Sequence, residues 1–151
     1  MRFRGIYRHT VDHKGRIAVP YPFRRMLSAE NGVLVLTKGY DGEIEVHPLS
    51  QWEEFENQVL LSLSYSKKPA RRFLRRRAGF ATEVEMDSQG RIVLPKVLRE
   101  YAEIEDEVVI LGVVNYFEIW NPSKFEKFMK DSEEHAEDDS ENLENYMARR
   151  E

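Results

Sequence analysis

Two stretches of this chain carry side chains spaced for holding an anion. The first is Asp12-His13-Lys14-Gly15-Arg16 and the second, 75 positions later, is Asp87-Ser88-Gln89-Gly90-Arg91. In each, Asp12 or Asp87 can accept the backbone N–H groups of a tight turn, and Gly15 or Gly90 can take a positive φ without steric cost. Lys14 and Arg16 are then left to project toward solvent beside the tip. An arginine there can fork onto a phosphate or onto the guanine edge in a DNA groove. The same residues also suit an ordinary hairpin turn in which Arg16 pairs with Asp12 or a neighbour, since Asp and Gly are frequent in such turns. Two copies in equivalent places lower the weight of the plain-turn reading.

The flanking sequence shows what must position these turns. Gly5 to Thr10 alternates weakly and is rich in strand formers, and Ile17-Ala18-Val19 is a short strand stopped by Pro20. Pro22 to Leu27 reads as a short helix with Pro at its start. After a turn at Asn31-Gly32, Val33 to Thr37 is a continuous apolar strand, and Glu43 to His47 alternates. A helix follows, with Ser50 and Glu53 as an expected capping box and with Trp52, Phe55, Val59 and Leu63 on one face. The second half repeats this order. Val108 to Leu111 matches Val33 to Leu36 at the same shift; a turn shortened by two residues then changes the shift to 73, so that Phe117 to Trp120 matches Ile44 to His47. Ser123 and Glu126 repeat the expected capping box, and Phe125 and Phe128 fall where Trp52 and Phe55 stand. A register that recovers after a loop deletion marks a duplicated unit. The expected division is a first unit at 1–63, a basic connecting segment at 64–80, a second unit at 81–130 and an acidic tail at 131–151. Units this small bury little surface alone, so they should share a core or interlock.

The formal net charge of −4 hides a segregation: residues 1–80 hold 15 Lys and Arg against 8 Asp and Glu, and residues 81–151 hold 8 against 19. Such an imbalance suits a polyanion partner at one end, or copies packing basic against acidic. The connecting segment from Ser66 to Arg77 has seven cations and no acid, and past Pro69 it can be helical, with Arg71, Arg72, Arg75 and Arg76 around Phe73. These cations can lie on DNA phosphates or pair with acids of the second unit or a neighbouring copy. From Asp131 to Asn145 there are eight acids and no Lys or Arg, which predicts a solvated, partly mobile tail. Leu143, Tyr146 and Met147 could add a short terminal helix that docks. No apolar run approaches the ~18 residues of a membrane span, no signal peptide is expected, and the absence of Cys removes disulfide and thiol chemistry.

With these motifs in hand, the chain resembles the MraZ family, whose members contain two tandem AbrB-type (SpoVT–AbrB) units. The resemblance rests on both Asp-x-x-Gly-Arg turns in context, on Pro20 with Phe23-Arg24, and on Pro95 with Leu98-Arg99-Glu100-Tyr101. It rests also on Ala70-Arg71-Arg72-Phe73 and Phe117-Glu118-Ile119-Trp120, and it covers roughly residues 1–130. It implies a β-rich α+β fold of two interleaved β-hairpin barrel units with short helices, and a ring-shaped homo-oligomer. It also implies sequence-specific binding of double-stranded DNA in the bacterial cytoplasm, at the nucleoid, as a transcriptional regulator of the division and cell-wall gene cluster and of its own gene. By position, DNA contacts fall on Arg16, Arg24 and Arg25, with Lys14 in the same turn. The second unit keeps Arg91 and Arg99 but has Gln89 where Lys14 stands and Glu100 where Arg25 stands. The first unit is therefore expected to read DNA and the second to help close the ring.

Other function classes fit less well. His9, His13, His47 and His135 are isolated and lack metal-ligand spacing, and no Walker loop, nucleophile elbow or Rossmann fingerprint is present. No enzyme, cofactor, metal or small-molecule substrate is expected. Trp52, Phe55, Phe125, Phe128 and Trp120 follow helical or strand periods and read as core or interface rather than as base-stacking residues. An antitoxin-like interaction module, gripping a protein partner with the acidic tail, is the alternative.

Overall fold

A computed structural model describes residues 1–29 and 31–148. The strands are β1 (Ile6–Thr10), β2 (Arg16–Ala18), β3 (Val33–Lys38), β4 (Ile44–Pro48), β5 (Thr82–Glu85), β6 (Arg91–Val93), β7 (Glu107–Gly112) and β8 (Phe117–Trp120). The helices are α1 (Tyr21–Ser28), α2 (Leu49–Gln58), α3 (Lys68–Gly79), α4 (Lys96–Tyr101) and α5 (Pro122–Glu141). The architecture is β-rich α+β, as expected. Six strands form one antiparallel sheet in the order β1-β7-β8-β4-β3-β5, and β2 pairs with β6 in a separate two-stranded ribbon.

Exchanging each strand for its counterpart in the other repeat gives the same sheet order read backwards, so the fold has a pseudo-two-fold axis. The axis passes through the ribbon at Ile17 opposite Ile92, and through the sheet where β4 meets β8. Each repeat keeps its own central hairpin but gives its first strand to the other. β1 pairs with β7, from Ile6 opposite Leu111 to Thr10 opposite Glu107, and β5 pairs with β3. The units interlock because neither hairpin alone covers its outer edge or its core face.

Strand alternation sorts the sheet into two faces. One carries Leu34, Leu36, Ile44, Val46, Val108, Ile110, Phe117 and Ile119, all buried against Ile17, Phe23, Leu27, Ile92 and Leu98 from the ribbon, α1 and α4. Phe3 joins this core from the N-terminus, with its ring 5.1 Å from Phe23 and 5.4 Å from Phe117. The other face is covered by α2, α3 and α5. There Val109, Trp120 and Phe125 form a small apolar cluster, and Thr37, Glu43, Glu45, Glu118 and Arg77 are buried beside it. Among the described residues, no helix is long and apolar enough to cross a membrane.

Helix starts differ from the expected capping boxes. α2 begins at Leu49 with Pro48 as its N-cap, so Ser50 lies inside the first turn. At α5 the cap is Asn121, whose side chain accepts the N–H groups of Ser123 and Lys124; Glu126 reaches Arg8 instead, at 3.5 Å. A proline with extended ψ brings the chain into α1, α2 and α4, leaving the cap to the backbone. The acidic segment continues α5 as far as Glu141, with every side chain exposed. A cap, Pro122 at the start, and Phe125 and Met129 on the sheet nucleate a helix that Glu and Ala then prolong. Leu143 to Tyr146 form a 3₁₀ turn, but Leu143, Tyr146 and Met147 stay exposed rather than docking on this chain. Residues 149–151 of the expected tail lie outside the described residues.

Candidate nucleic-acid interface

The two Asp-x-x-Gly-Arg turns are built alike. Asp12 Oδ1 accepts the backbone N–H groups of Lys14 and Arg16, each at 2.9 Å, and Arg16 Nε donates to Asp12 Oδ2 at 2.7 Å. In the second turn, Asp87 Oδ1 accepts from Gln89 and Arg91 at 2.9 Å, and Arg91 Nε donates to Oδ2 at 2.9 Å. Gly15 and Gly90 have φ of 75° and 76°, a region in which only glycine avoids strain. The hydrogen bond from the Arg16 backbone, followed by its side chain, holds the Asp12 carboxyl down at about 2, and the same contacts from Arg91 lower Asp87. Arg16 is therefore a half-buried partner of its own turn rather than a freely projecting cation. Of its guanidinium nitrogens, only Nε is bonded among the described residues. Lys14 is exposed and has no ion pair among them.

The repeats lock each other's turns. The Gly90 carbonyl accepts the Val19 N–H, and the Gly15 carbonyl accepts the Leu94 N–H, each at 2.9 Å. Arg24 Nη1 donates to the Gln89 carbonyl at 3.0 Å, and the Arg24 side chain covers Gly90. Its counterpart Arg99 lies over Gly15, where an added β-carbon would sit 3.1 Å from the guanidinium carbon. The Nε atoms of Arg24 and Arg99 are both buried and unpartnered among the described residues. The ribbon thus turns Ile17 and Ile92 into the core and presents Arg16, Ala18, Arg91 and Val93 outward, with a turn at each end.

Charge breaks the symmetry of this surface. On the first side, Arg25 lines a shallow cleft of about 320 Å³ with Arg2, Arg4, Pro22 and Met26. On the second, Glu100 lines a cleft of about 610 Å³ with Glu103, Glu105, Lys96 and Arg99. Arg2 and Arg4 are additions that sequence reasoning missed. Their signal is the alternation Arg2-Phe3-Arg4, which buries Phe3 and turns both arginines out.

Arg71, Arg72, Arg75 and Arg76 lie on α3. Its last turn packs on the helix-covered face of the sheet, where Arg77 Nη2 meets Glu45 Oε1 at 2.9 Å. Arg76 donates to the Gly39 carbonyl at 2.7 Å, and Arg71 donates to the Tyr65 carbonyl at 2.8 Å. Arg72 and Arg75 are exposed. The histidines stay apart. His47 Nε2 lies 2.9 Å from Glu45, and His9 Nδ1 lies 2.6 Å from the Ala18 carbonyl oxygen. Among the described residues, no group of three or more His, Cys, Asp or Glu is placed to hold a metal.

Comparison with known proteins adds relatives to this geometry. The family model described as MraZ protein matches residues 2–76 and 78–146. A protein of Moorella thermoacetica named transcriptional regulator MraZ is 43% identical over 135 residues, covering 89% of this chain and 92% of its own. A protein of the same name from Ligilactobacillus salivarius is 42% identical over 141 residues, covering 93% of this chain and 96% of its own. Among solved structures, the solution structure of PHS018 from Pyrococcus horikoshii aligns with a TM-score of 0.34 and 16% identity over 77% of this chain and 96% of that chain.

Proposed function

This chain belongs to the MraZ family, and from that premise we propose that it is a DNA-binding transcriptional regulator. Its finer activity is control of the division and cell-wall gene cluster, through repeated sites upstream of its own gene, as a ring-shaped homo-oligomer at the bacterial nucleoid. The observation that carries the reading is the charge asymmetry of an otherwise symmetric ribbon. Lys14 faces outward where Gln89 stands in the second turn, and Arg25 stands beside Arg2 and Arg4 where Glu100 stands beside other acids. The first-repeat side meets phosphate, with Lys14 and Arg25 as direct contacts. Arg16 can fork its unbonded guanidinium nitrogens onto phosphate or a base edge while Asp12 fixes its Nε. Arg24 positions the neighbouring turn. Arg91 and Arg99 hold the second turn and its partner rather than reading DNA.

In a ring, weak contacts of single subunits add up on repeated sites through effective concentration. The deciding experiment is a salt titration of binding to a duplex from upstream of the protein's own gene, beside a scrambled duplex. A steep loss of affinity with salt, with the native duplex preferred throughout, is expected. No binding to either duplex at low salt would overturn the proposal.

A further inference from the structure

The outer side of α3 is a row of cations without an ion pair among the described residues. Lys68, Arg72 and Arg75 are exposed at i, i+4 and i+7, and among the described residues none of them forms an ion pair. The other arginines of the helix turn inward onto Tyr65, Gly39 and Glu45. α5 carries the opposite row at the same spacing. Glu134, Asp138 and Glu141 are exposed, and they too have no ion pair among the described residues. Residues at this spacing line one face of a helix over two turns. No hydrogen bond or ion pair joins α3 to α5 within the described chain.

Exposed apolar side chains lie near both rows along the chain. Leu61 and Tyr65 precede α3, and Phe128, Leu143, Tyr146 and Met147 lie along and after α5. Both helices belong to the layer on the far side of the sheet from the ribbon. Exposed ion pairs alone hold surfaces weakly, so the apolar residues are needed as well.

We infer that α5 of one copy docks along α3 of the next, with Glu134, Asp138 and Glu141 meeting Lys68, Arg72 and Arg75 and the exposed apolar side chains closing against each other. The inference rests on the ring assembly proposed above and names its contact. The two surfaces differ, so the contact is head-to-tail and repeats until the ring closes. It leaves every ribbon uncovered for DNA. It also assigns the free α3 cations to the neighbouring copy rather than to DNA phosphates.

The test is two charge-reversed full-length variants, K68E/R72E/R75E and E134K/D138K/E141K, with mass measured by light scattering and folding checked by circular dichroism. Wild type is expected as a large assembly, each variant alone at single-chain mass, and the two mixed at the assembly's mass again. A third variant ending at Lys130 removes the acidic row without reversing it, and is also expected at single-chain mass. Wild-type mass in the variants, or no recovery on mixing, overturns the contact while leaving ring assembly standing. A wild type of single-chain mass overturns the ring and the contact together. If the α3 variant keeps its mass but loses DNA affinity, the row belongs to DNA and the contact is overturned.

Discussion

Glu45 and Glu118 stand opposite each other across the β4–β8 ladder. They are the same position of the two repeats. Each is met by the side chain two residues on, His47 Nε2 at 2.9 Å and Trp120 Nε1 at 3.0 Å. Their proton affinities nevertheless diverge. Burial works against the Glu45 charge, but hydrogen bonds from His47 and Arg77, with the charge of Arg77, outweigh it and lower its pKa. Among the described residues, Glu118 forms no ion pair. Burial, opposed by the Trp120 hydrogen bond and reinforced by Glu43 and Glu45, pushes it up to about 8.

A proton held by folded Glu118 is released on unfolding at any pH between the ordinary 4.5 and about 8. The unfolded chain binds fewer protons in that window, so stability falls as pH rises through it. Asp12 and Glu45, both lowered, act in the opposite direction and lose their contribution as acid is added. A pH series of urea midpoints should show the fall toward alkaline pH in wild type and a flatter profile in Glu118→Gln. An identical slope in the variant would remove Glu118 as its source.

Arg77→Met leaves buried Glu45 without its guanidinium, which is expected to cost about 3–5 kcal/mol. Adding Glu45→Gln should restore part of that stability, because the stranded charge then disappears. Urea unfolding of both variants measures this. A double variant less stable than the single one would contradict the pairing.

Gly15→Ala places a β-carbon at positive φ and against Arg99. The conformation alone costs about 1–2 kcal/mol. Gly90→Ala should cost more, since the Arg24 side chain lies closer to the added carbon. Asp12→Ala should also lower the melting temperature, as it frees two backbone N–H groups and Arg16. Thermal melts of the three variants check the order; a neutral Gly90→Ala would count against the crossed lock.

Lys14→Ala should weaken DNA binding with the fold intact, and should reduce the salt slope by about 0.9 for each phosphate it no longer neutralises. Gln89→Ala should change little. Gln89→Lys is the sharper variant. It rebuilds the first turn's charge in the second turn, and it raises affinity only if DNA reaches both ends of the ribbon. Binding isotherms at several salt concentrations separate these outcomes.

Much of the fold is legible in the sequence because duplication prints itself twice. Both turns, the succession of strands along the chain and the short helices after Pro20 and Pro95 follow from motif and period. The exchange of β1 and β5 is not legible, since alternation tells which face of a strand is buried but not which neighbour it meets. Nor is the crossing of Arg24 and Arg99, since Arg24 meets a turn 65 residues away in the chain and Arg99 meets the distant turn at Gly15. Sequence leaves Arg16 open between projecting and pairing, and only the geometry of the turn bonds it to Asp12. Charge alone describes the acidic stretch after Asp131, and charge does not say that a capped, anchored helix already points into it.

Strand exchange between repeats also bears on how such a chain can change. If the two halves were separate identical subunits, every substitution would occur on both sides of the axis at once. Joined in one polypeptide, they mutate independently while the exchanged strands keep them in one fold. Lys14 and Gln89, Arg25 and Glu100, and His47 and Trp120 are records of that freedom. Equivalent positions of the two repeats carry different chemistry while one core is shared between them.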